Sequence, residues 1–491
     1  MRVRVTRREV VAGVVGALPV ALAARPTWHV WRAYQEDNAL PPLPAPSGTQ
    51  DASFLSPGAS TSELVKPSGS ADEVESQLRA ALARAREKRL RVSIAGARHS
   101  MGGQTRAANG VQLDLSALTA MRLEPSGDVV SVQSGARFWQ LLRYLDQRGA
   151  SVRVMQSNSD FSIGGSLSVN CHGWQPNSPP IASSVESLRV LLSDGSVVTA
   201  SREQERELFS LVLGGYGLFG VILEARLRVT KNRLLRKVTR ELSTSDYVAS
   251  FASASAGADL AFGRLAVAPS VLMKRTLLTT YEPVAQASLP PLNPTPESAL
   301  TRALFRGQRD SAYGHELRWT AERLLGGEGG ENATRNQLLS EPVAIFQNRR
   351  QDRTDILQEY FVPPARVPEF AARAARLVEP HLGSLLNVTL RNVLADRDSA
   401  LPYAPSERMG LVFLFDIPRT AAADAGLAAL GQKLIEVALA LGGTYYLPYR
   451  LAATPQQFAR AYPMAREVFE KKRRYDAAGA FSNELYARYA G

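Results

Sequence analysis

The sequence predicts an α+β fold with a separate second α+β domain, and three observations lead to this class. Apolar runs at 188–192 and 197–200 flank an Asp194-Gly195 turn, which is a strong β-hairpin signal. Residues 223–229 alternate strictly between apolar and charged side chains, as a half-buried antiparallel strand does. Helical patterns are interleaved with these strands, and no Gly-x-Gly-x-x-Gly opens a βαβ unit, so a doubly wound dinucleotide fold is excluded.

The first 24 residues have the pattern of an export signal. A basic start precedes an apolar run over 10–24 that ends in small residues at 21–23. This run is shorter than the ~20 residues that cross a bilayer as a helix. The triplet Thr6-Arg7-Arg8 resembles a twin-arginine signal, which exports folded proteins. We therefore expect a periplasmic or other extracytoplasmic protein, while a buried first helix or an uncleaved anchor stays open.

The charge and the cysteine count exclude several classes of function. The net charge of +12 is spread along the chain without the aromatic-basic alternation of single-strand binding proteins, so we expect no nucleic-acid partner. Anionic substrates and peripheral membrane association stay open. A single cysteine, Cys171, and five histidines make a metal site unexpected. The oligomeric state is left open.

Local signals predict the elements in order. A capping box at Ser70–Glu73 begins a helix with Val74, Leu78, Leu82 and Ala85 on one face. The pattern then predicts strands at 91–95 and 111–115, helices at 138–147 and 203–213, and a basic helix over 457–475 that is interrupted at Pro463. Pro-rich 283–297 and Gly-rich 325–335 flank an insertion that we expect to be irregular, before strands and helices return at Thr354.

Four glycine-containing segments carry the functional signal. They cover residues 95–104, 162–168, 169–173 and 213–221, and the first directly follows a predicted strand. Small residues let backbone N–H groups approach phosphates, so each segment could form part of an anion nest. Glycine turns are common in β-rich domains, but the order and spacing of the four together are much more specific.

These segments resemble the vanillyl-alcohol-oxidase-type (PCMH-type) FAD oxidoreductases, a family that includes alditol oxidase, aldonolactone oxidases and cytokinin dehydrogenase. The resemblance covers about 65–230 and returns at 474–483, where Ala477 replaces the proline of an Asp-Pro-x-Gly-x-Phe segment. It implies an α+β fold with a two-subdomain FAD-binding domain and a separate α+β substrate (cap) domain. The expected organisation is an export signal at 1–24, a linker or surface arm at 25–64, the FAD-binding domain at 65–232, the cap at 233–450, and a segment at 451–491 that returns to the FAD-binding domain.

The resemblance also implies FAD as the cofactor and a set of residues that contact it. The implied contacts are Gly96, Ala97, Arg98, His99, Ser100, Met101, Gln104, Ser157, Ser162, Gly164, Gly165, Ser168, Cys171, His172, Gly173, Gly220, Val221 and Asn483. For His172 a packed structural role is equally open, and Cys171 fits a small apolar packing residue better than a reactive thiol.

The most specific prediction that the resemblance makes concerns His99. Family members with Gly-His-Ser at this place bond the histidine covalently to the flavin 8α-methyl, and here His99-Ser100 is kept while Arg98 replaces the glycine. A neutral imidazole nitrogen is the nucleophile that such a bond needs. The alternative is a loop histidine that only hydrogen-bonds the cofactor. Arg98 could pair with the pyrophosphate.

The resemblance implies catalytic residues in the cap. The segment 358–363 is similar to the Glu-Tyr-x-Val-Pro strand of the aldonolactone oxidases, and Arg391 stands where sugar-oxidising relatives carry Glu-x-Arg. The segment 445–450 occupies the region of a His-Trp-x-Lys motif but lacks that histidine and lysine. These matches imply Arg391 as a positive stabiliser and Glu359, Tyr446 and Tyr449 as candidate proton acceptors. Ordinary strand packing is the alternative for each.

The implied function is a hydride transfer from a C–H next to a hydroxyl or an amine, in an alcohol, sugar or lactone, to flavin N5. Electrons then pass to oxygen or another acceptor. In the family, a small residue at the position of Gln156, just before Ser157, controls the access of oxygen to the flavin. The larger glutamine side chain would hinder oxygen and therefore favours another electron acceptor. Two alternatives stay open: a non-covalent FAD dehydrogenase or reductase with a lipid-linked substrate, and a non-catalytic exported binding protein.

Overall fold

The computed structural model describes residues 24–56, 63–285, 288–294, 297–326 and 332–490. It confirms an α+β fold in which helices and strands are interleaved. The predicted export signal falls on residues outside this description, except for Ala24. Across the described ranges, every helix is too short or too polar to cross a bilayer.

Residues 24–56 are bonded to both halves of the molecule. They begin with a helix, α1 (24–33), which continues as a π-helical turn over Tyr34–Asn38. Asp37 is buried and lies 2.6 Å from Arg302 of the second half. Asp51 is also buried and accepts a hydrogen bond from the backbone N–H of Gly103 at 3.0 Å. We call residues 24–56 the arm.

The first half of the chain builds two small sheets. The strands are β1 (Glu63–Val65), β2 (Val92–Ala95), β3 (Val111–Asp114), β4 (Met121–Leu123), β5 (Val129–Gln133), β6 (Ala150–Val152), β7 (Val185–Leu191), β8 (Val197–Ser201) and β9 (Val221–Lys231). The helices are α2 (Ala71–Glu87), α3 (Phe138–Asp146), α4 (Ile163–Ser168) and α5 (Arg206–Val212). One sheet is parallel in the order β1-β3-β2, and the other is antiparallel in the order β4-β5-β9-β7-β8 with β6 beside β9.

Local signals in this half are confirmed. Ser70 caps α2 in a complete capping box, and the four predicted inner positions are buried. The predicted hairpin forms between β7 and β8. The residues predicted as a strand at 223–229 belong to β9, which lies antiparallel between β5 and β7. Its apolar residues Leu223, Ala225 and Leu227 are buried, and Val229 is half-buried. Each of these signals needs only neighbouring residues, which is why the sequence shows them.

The second half is built on an eight-stranded antiparallel sheet in the order β13-β10-β12-β11-β15-β16-β14-β17. Its strands are β10 (Leu234–Ser243), β11 (Leu260–Leu265), β12 (Arg275–Val284), β13 (Ala333–Thr334), β14 (Arg353–Val362), β15 (Leu385–Val393), β16 (Arg408–Pro418) and β17 (Thr444–Tyr445). Its helices are α6 (Tyr247–Ser255), α7 (Ala299–Arg306), α8 (Ala312–Leu325), α9 (Arg335–Leu339), α10 (Val367–Val378) and α11 (Ala421–Ala440). Short 3₁₀ turns lie at Ile181–Ser184, Pro269–Val271, Val343–Ile345, Pro364–Arg366 and Glu379–His381.

The expectation of an irregular insertion between 283 and 335 is wrong for residues 299–325, which form α7 and α8. Ser298 and Ser311 cap these helices by accepting hydrogen bonds from backbone N–H groups three residues on. The proline-rich and glycine-rich stretches at the flanks mark the ends of β12 and α8, but they carry no information on the secondary structure between them.

The C-terminal segment contributes α12 (Pro455–Ala461), α13 (Ala465–Tyr475) and α14 (Glu484–Tyr489), and the predicted break at Pro463 is present. Beyond α13 the chain packs on the first half, where Val92 and Phe481 form a parallel bridge. The C-terminal residues are therefore held against strand β2, next to the first glycine segment.

A buried ionic cluster fixes α7 to the large sheet. Arg306 is almost fully buried and reaches Asp355 on β14 at 2.5 Å and Asp416 on β16 at 3.4 Å. Arg353 also contacts Asp416 at 2.6 Å. Removing one cation from such a cluster leaves a carboxylate unpaired away from water. Burial and the neighbouring carboxyl of Asp355 already raise the pKa of Asp416, while Arg306 lowers it.

We expect Arg306→Met to lower the free energy of unfolding by about 3 kcal/mol, measured by urea denaturation. Loss of the cation raises the pKa of Asp416 in the folded state still further above its unfolded value. The folded form then binds a proton more tightly, so the variant should regain stability as the pH falls. Arg460→Met breaks the exposed pair with Glu436 and is the matched control, with an expected loss below about 1 kcal/mol. Equal stabilities of the two variants would contradict the structural role of the cluster.

Candidate functional site

One cavity of about 1200 Å³ joins the two halves of the molecule. Its walls come from the glycine segments of the first half, from one face of the large sheet, and from the arm and α7. Pockets for a single small ligand measure about 300–1000 Å³, so this cavity has room for a large cofactor together with a substrate.

Most residues predicted to bind the cofactor or to act in catalysis line this cavity. They are Gly96, Ala97, Arg98, His99, Ser100, Met101, Gln104, Ser157, Ser162, Gly164, Gly165, Ser168, Cys171, His172, Gly220, Glu359, Arg391, Tyr446 and Tyr449. The fold thus brings together segments that lie up to about 350 residues apart in the sequence.

Three predicted contacts lie away from the cavity wall. Val221 is fully buried in the core cluster behind the parallel sheet. A Cβ on Gly173 would lie 1.9 Å from the Met155 carbonyl, so this glycine allows two backbone segments to pack. Asn483 caps α14 and donates to the Tyr216 carbonyl at 2.8 Å. Their places in the motifs reflect packing around the site.

The glycine segments pack closely on neighbouring segments along the cavity wall, and we call this part of the wall the cradle. A Cβ on Gly96 would lie 2.2 Å from Ser162 Oγ, and one on Gly164 would lie 2.7 Å from Ser134 Cβ. Within the described part of the chain, the buried hydroxyls of Ser134, Ser100 and Ser157 have no hydrogen-bond partner. Unpaired buried hydroxyls are costly, and a polar ligand in the cavity would satisfy them. These residues fit a cofactor with phosphate and ribityl oxygens.

We expect Gly164→Ala to lower the free energy of unfolding by about 1–3 kcal/mol and to weaken cofactor retention, because the new methyl group has only backbone and Ser134 Cβ to displace. The measurements are thermal unfolding and flavin content per chain. Gly426→Ala, in the exposed part of α11 where nothing lies within 4 Å, is the control and should be neutral or slightly stabilising. Full flavin content in Gly164→Ala would contradict the cradle.

His99 lies on the cavity wall with its ring stacked on Phe161, at 4.3 Å between centroids. Burial and the positive charge of Arg137 lower the pKa of His99 to about 4, against the opposing effect of a hydrogen bond to the Asp160 backbone. The imidazole is therefore neutral at neutral pH and keeps a free electron pair. Arg137 in turn donates to the Asp160 carbonyl at 2.7 Å, which holds its charge beside the ring.

The predicted pairing of Arg98 with the cofactor pyrophosphate is not supported by the structure. The Arg98 guanidinium lies 2.8 Å from Asp114 on β3 and also donates to the Gly48 carbonyl of the arm at 2.8 Å. Its charge is therefore compensated within the protein. Arg98 has φ of 59°, a left-handed conformation that turns the chain so that His99 reaches the cavity. Its observed role is to tie the first glycine segment to β3 and the arm.

Glu359 and His172 form a buried pair between the large sheet and the third glycine segment. Glu359 lies on β14, and its Oε1 is 2.8 Å from His172 Nε2. The two atoms are close but not aligned as a hydrogen bond, since within the described ranges neither Oε1 nor His172 Nδ1 has a hydrogen-bond partner. Both atoms are therefore available to a polar ligand. Gly410 on the next strand allows this position, since a Cβ there would lie 2.8 Å from Oε1.

The two tyrosines are hydrogen-bond donors in this structure. Tyr446 donates to the Val169 carbonyl at 2.9 Å, and Tyr449 lies 3.4 Å from Glu359 Oε2. Burial raises the pKa of both phenols well above the usual value. They therefore stay protonated at neutral pH, and the expectation that either accepts a proton is not supported. Among the residues predicted as proton acceptors, Glu359 is the remaining candidate.

Arg391 supplies an uncompensated positive charge to the same place. It lies on β15, and among the described residues it forms no ion pair; its Nε is buried without a partner. Its charge lowers the pKa of Tyr449, opposing burial, which places the two side chains close together. A buried cation of this kind can stabilise negative charge on a ligand.

Gln104 and Cys171 complete the wall in supporting roles. The Gln104 amide donates to the carbonyls of Leu447 and Tyr449, at 2.7 and 3.0 Å, and so fixes the turn that carries Tyr449. Burial raises the pKa of Cys171 to about 12, so its thiol is not ionised at neutral pH. In the parts of the chain that the structure describes, no three His, Cys, Asp or Glu side chains are arranged to hold a metal ion.

The large sheet contributes polar cavity residues that the sequence did not indicate. They are Lys237, Thr239, Arg264, Thr279, Tyr281 and Asn387, and Glu322 of α8 and Glu341 line the same cavity. Burial raises the pKa of Glu341 to about 7, although Arg264 lowers it. No motif marks these residues; only their alternation along strands β10, β12, β11 and β15 places them on one face.

Comparison with known proteins identifies relatives of part of the first half of the chain. Residues 73–201 match the family described as FAD binding domain. Cytokinin dehydrogenase 1 of Oryza sativa subsp. japonica is 36% identical over 167 residues, which are 33% of this chain and 31% of the relative. D-arabinono-1,4-lactone oxidase of Yarrowia lipolytica is 30% identical over 156 residues, 31% of this chain and 30% of the relative. The match thus spans about a third of each relative. It confirms the resemblance of this region to FAD oxidoreductases and FAD as its cofactor.

Proposed function

We propose that this chain, whose residues 73–201 form an FAD-binding domain, is an oxidoreductase that takes a hydride from a C–H next to a hydroxyl or an amine of a small donor. The observation that carries the proposal is the single cavity in which the FAD-binding segments face Glu359 and Arg391 of the large sheet. FAD, when bound, supplies the hydride acceptor.

The chain's own residues divide the remaining work. Glu359 accepts the proton that leaves the donor hydroxyl or amine, and His172 Nε2 lies 2.8 Å from its Oε1. Arg391 stabilises the negative charge that develops on the donor oxygen. Tyr449 stays protonated and orients the donor by hydrogen bonding. Burial of Glu359 excludes water from the reacting side.

We further propose that His99 holds the flavin by a covalent bond. Its support is the neutral imidazole on the wall of the cavity, with a pKa lowered to about 4, in the first glycine segment. A covalent bond would retain the cofactor in an exported protein, in line with the predicted signal at 1–24.

The polar face of the large sheet supports a polar donor. Lys237 lines the cavity with no ion pair or hydrogen bond among the described residues, and burial together with the charge of Arg264 lowers its pKa. Two neighbouring cations would favour a donor that carries hydroxyl groups or a negative charge. D-arabinono-1,4-lactone, the substrate in the name of one relative, is a suitable first polar candidate, and a cytokinin is the less polar comparison.

Apolar residues on the cavity wall support the alternative of a lipid-soluble ligand. The arm and α7 contribute Leu43, Ala45, Pro46, Ala52, Phe54, Leu304 and Phe305. Gln156, held by Ser166 at 2.8 Å on the cavity wall, supports an electron acceptor other than oxygen. A lipid-linked donor or an apolar acceptor would pack against these apolar residues.

The test is reduction of the bound flavin without oxygen. The purified chain is mixed with D-arabinono-1,4-lactone, a simple polyol or a cytokinin, and the loss of oxidised-flavin absorbance is followed. We expect one of these donors to bleach the flavin, and reoxidation to be faster with a dye acceptor than with oxygen. A flavin that no donor of these classes or of a lipid-linked class reduces would contradict the enzyme and leave a binding protein.

A further inference from the structure

The helix at the start of the arm exposes its large aromatic residues to solvent instead of packing them on the protein. Trp28, Trp31 and Tyr34 follow one another at three-residue spacing and are 62%, 51% and 39% exposed. Trp28 and Trp31 stack on each other at 4.9 Å, with their rings in solvent. A surface helix normally turns such residues toward the core.

The opposite side of the same helix is polar and bonded to the protein. His29 Nε2 lies 2.7 Å from the Gly307 carbonyl, and Asp37 is buried against Arg302 at 2.6 Å. Ala33, between them in the four-residue repeat, is buried. The helix is therefore held in a fixed orientation by its polar side, and the aromatic side cannot turn inward.

Two further leucines extend the aromatic side into a patch. Leu40, just after the helix, is 37% exposed, and Leu300 on α7 is 56% exposed. Leu300 adjoins the helix, because Asn38 donates to the carbonyl of its neighbour Ala299 at 2.8 Å. We call Trp28, Trp31, Tyr34, Leu40 and Leu300 the aromatic face. This face contains five of the nine large apolar residues that the described structure exposes. Such a concentration of exposed apolar residues indicates a surface that binds a partner.

We propose that the aromatic face seats this end of the protein in the headgroup layer of a lipid bilayer. Tryptophan and tyrosine are the residues that favour this layer. Arg25 and Arg32 belong to the same helix, where Arg25 lies over the Tyr313 ring and Arg32 pairs with Glu36 at 2.6 Å. The apolar run at 10–24 ends only four residues before Trp28. Insertion of this run into a bilayer would bring the aromatic face to the membrane surface. The net charge of +12 suits a surface with anionic lipids.

The position of the aromatic face also bears on the cavity. The arm and α7, which carry the face, also contribute apolar residues to the cavity wall. Two of them, Leu43 and Leu304, lie three and four residues beyond Leu40 and Leu300 in the sequence. The bilayer contact therefore places this part of the cavity wall at the membrane side of the protein.

The experiment is quenching of tryptophan fluorescence by vesicles with brominated acyl chains. The full chain is mixed with phosphatidylcholine and phosphatidylglycerol vesicles, with and without bromine. We expect bromine to quench the wild type, and Trp28→Phe/Trp31→Phe to lose essentially all of this quenching. Trp139→Phe removes another exposed tryptophan, 40% exposed beside Arg143, and should leave the quenching unchanged. This comparison does not depend on flavin or on activity.

Two results would overturn the proposal. One is bound protein whose tryptophans are not quenched, or whose quenching survives in the double variant, since the membrane would then be contacted elsewhere. The other is a dimer in sedimentation that Trp28→Ser/Trp31→Ser converts to a monomer without any lipid quenching, which would make a second copy the occupant. Because both side chains are exposed, the variants should unfold at the wild-type temperature, and the single variants should each lose part of the quenching.

Discussion

Replacing His99 by alanine is expected to release the flavin from the denatured protein. Wild-type protein should carry flavin fluorescence on its band after denaturing electrophoresis and acid treatment, and His99→Ala should carry none. The reason is that His99 combines a place on the cavity wall with a pKa lowered to about 4 by burial and by Arg137. At neutral pH its nitrogen is unprotonated and free to form a bond.

His172→Ala is the matched control, because it removes the other cavity histidine and should leave the flavin attached. His99→Ala should still fold and hold FAD loosely through the cradle, visible as a yellow native protein. Fluorescence that stays on the His99→Ala band would place the bond on another residue. A wild-type flavin that washes off in denaturant would favour the non-covalent alternative.

The charge of Arg137 gives this prediction a pH dependence. Burial is the larger cause of the lowered pKa of His99 and remains in Arg137→Met, but loss of the cation should raise that pKa part of the way toward the usual value. A larger fraction of His99 is then protonated in mildly acidic solution, where it has no free electron pair. We expect attachment of added FAD to the apoprotein to slow in this variant as the pH falls, while the wild type is little affected above about pH 5.

The glycine segments could be predicted because their chemistry is local, whereas the prediction for His99 came from the resemblance of the first segment to a known family. A turn that brings backbone N–H groups toward a ligand needs small residues at fixed spacing, and that spacing is visible in the sequence. The hairpin at Asp194-Gly195 and the capping box of α2 were visible for the same reason. The helices α7 and α8 were missed, although Ser298 and Ser311 are ordinary N-cap residues, because the flanking proline and glycine clusters dominated the pattern.

The roles of charged residues could not be predicted, because they depend on partners brought together by the fold. Arg98 looked free to bind pyrophosphate, but its partner Asp114 lies on a neighbouring strand. Arg137 has no motif, yet its charge adds to the effect of burial in lowering the pKa of His99. The tyrosines were candidates for bases until their burial was known. In each case the decisive quantity is the distance or exposure of one group, which no spacing in the sequence encodes.

Glu359→Gln is expected to slow donor-dependent reduction of the flavin by about 10²–10⁴-fold. Glutamine keeps the shape of the side chain and can still accept from the Tyr449 hydroxyl, which lies 3.4 Å from Oε2, but it cannot take a proton. The buried phenols of Tyr446 and Tyr449 cannot replace it, since burial raises the pKa of both. The rate is measured as loss of oxidised-flavin absorbance without oxygen, using the donor that reduces the wild type.

A second variant separates a lost proton acceptor from a disturbed site. Tyr446→Phe removes a hydroxyl that donates to the Val169 carbonyl, so it should change the rate by no more than about tenfold. If Glu359→Gln reduces its flavin at the wild-type rate, the proton acceptor is another group. His172 is then the next candidate, because its Nε2 lies 2.8 Å from the same carboxyl.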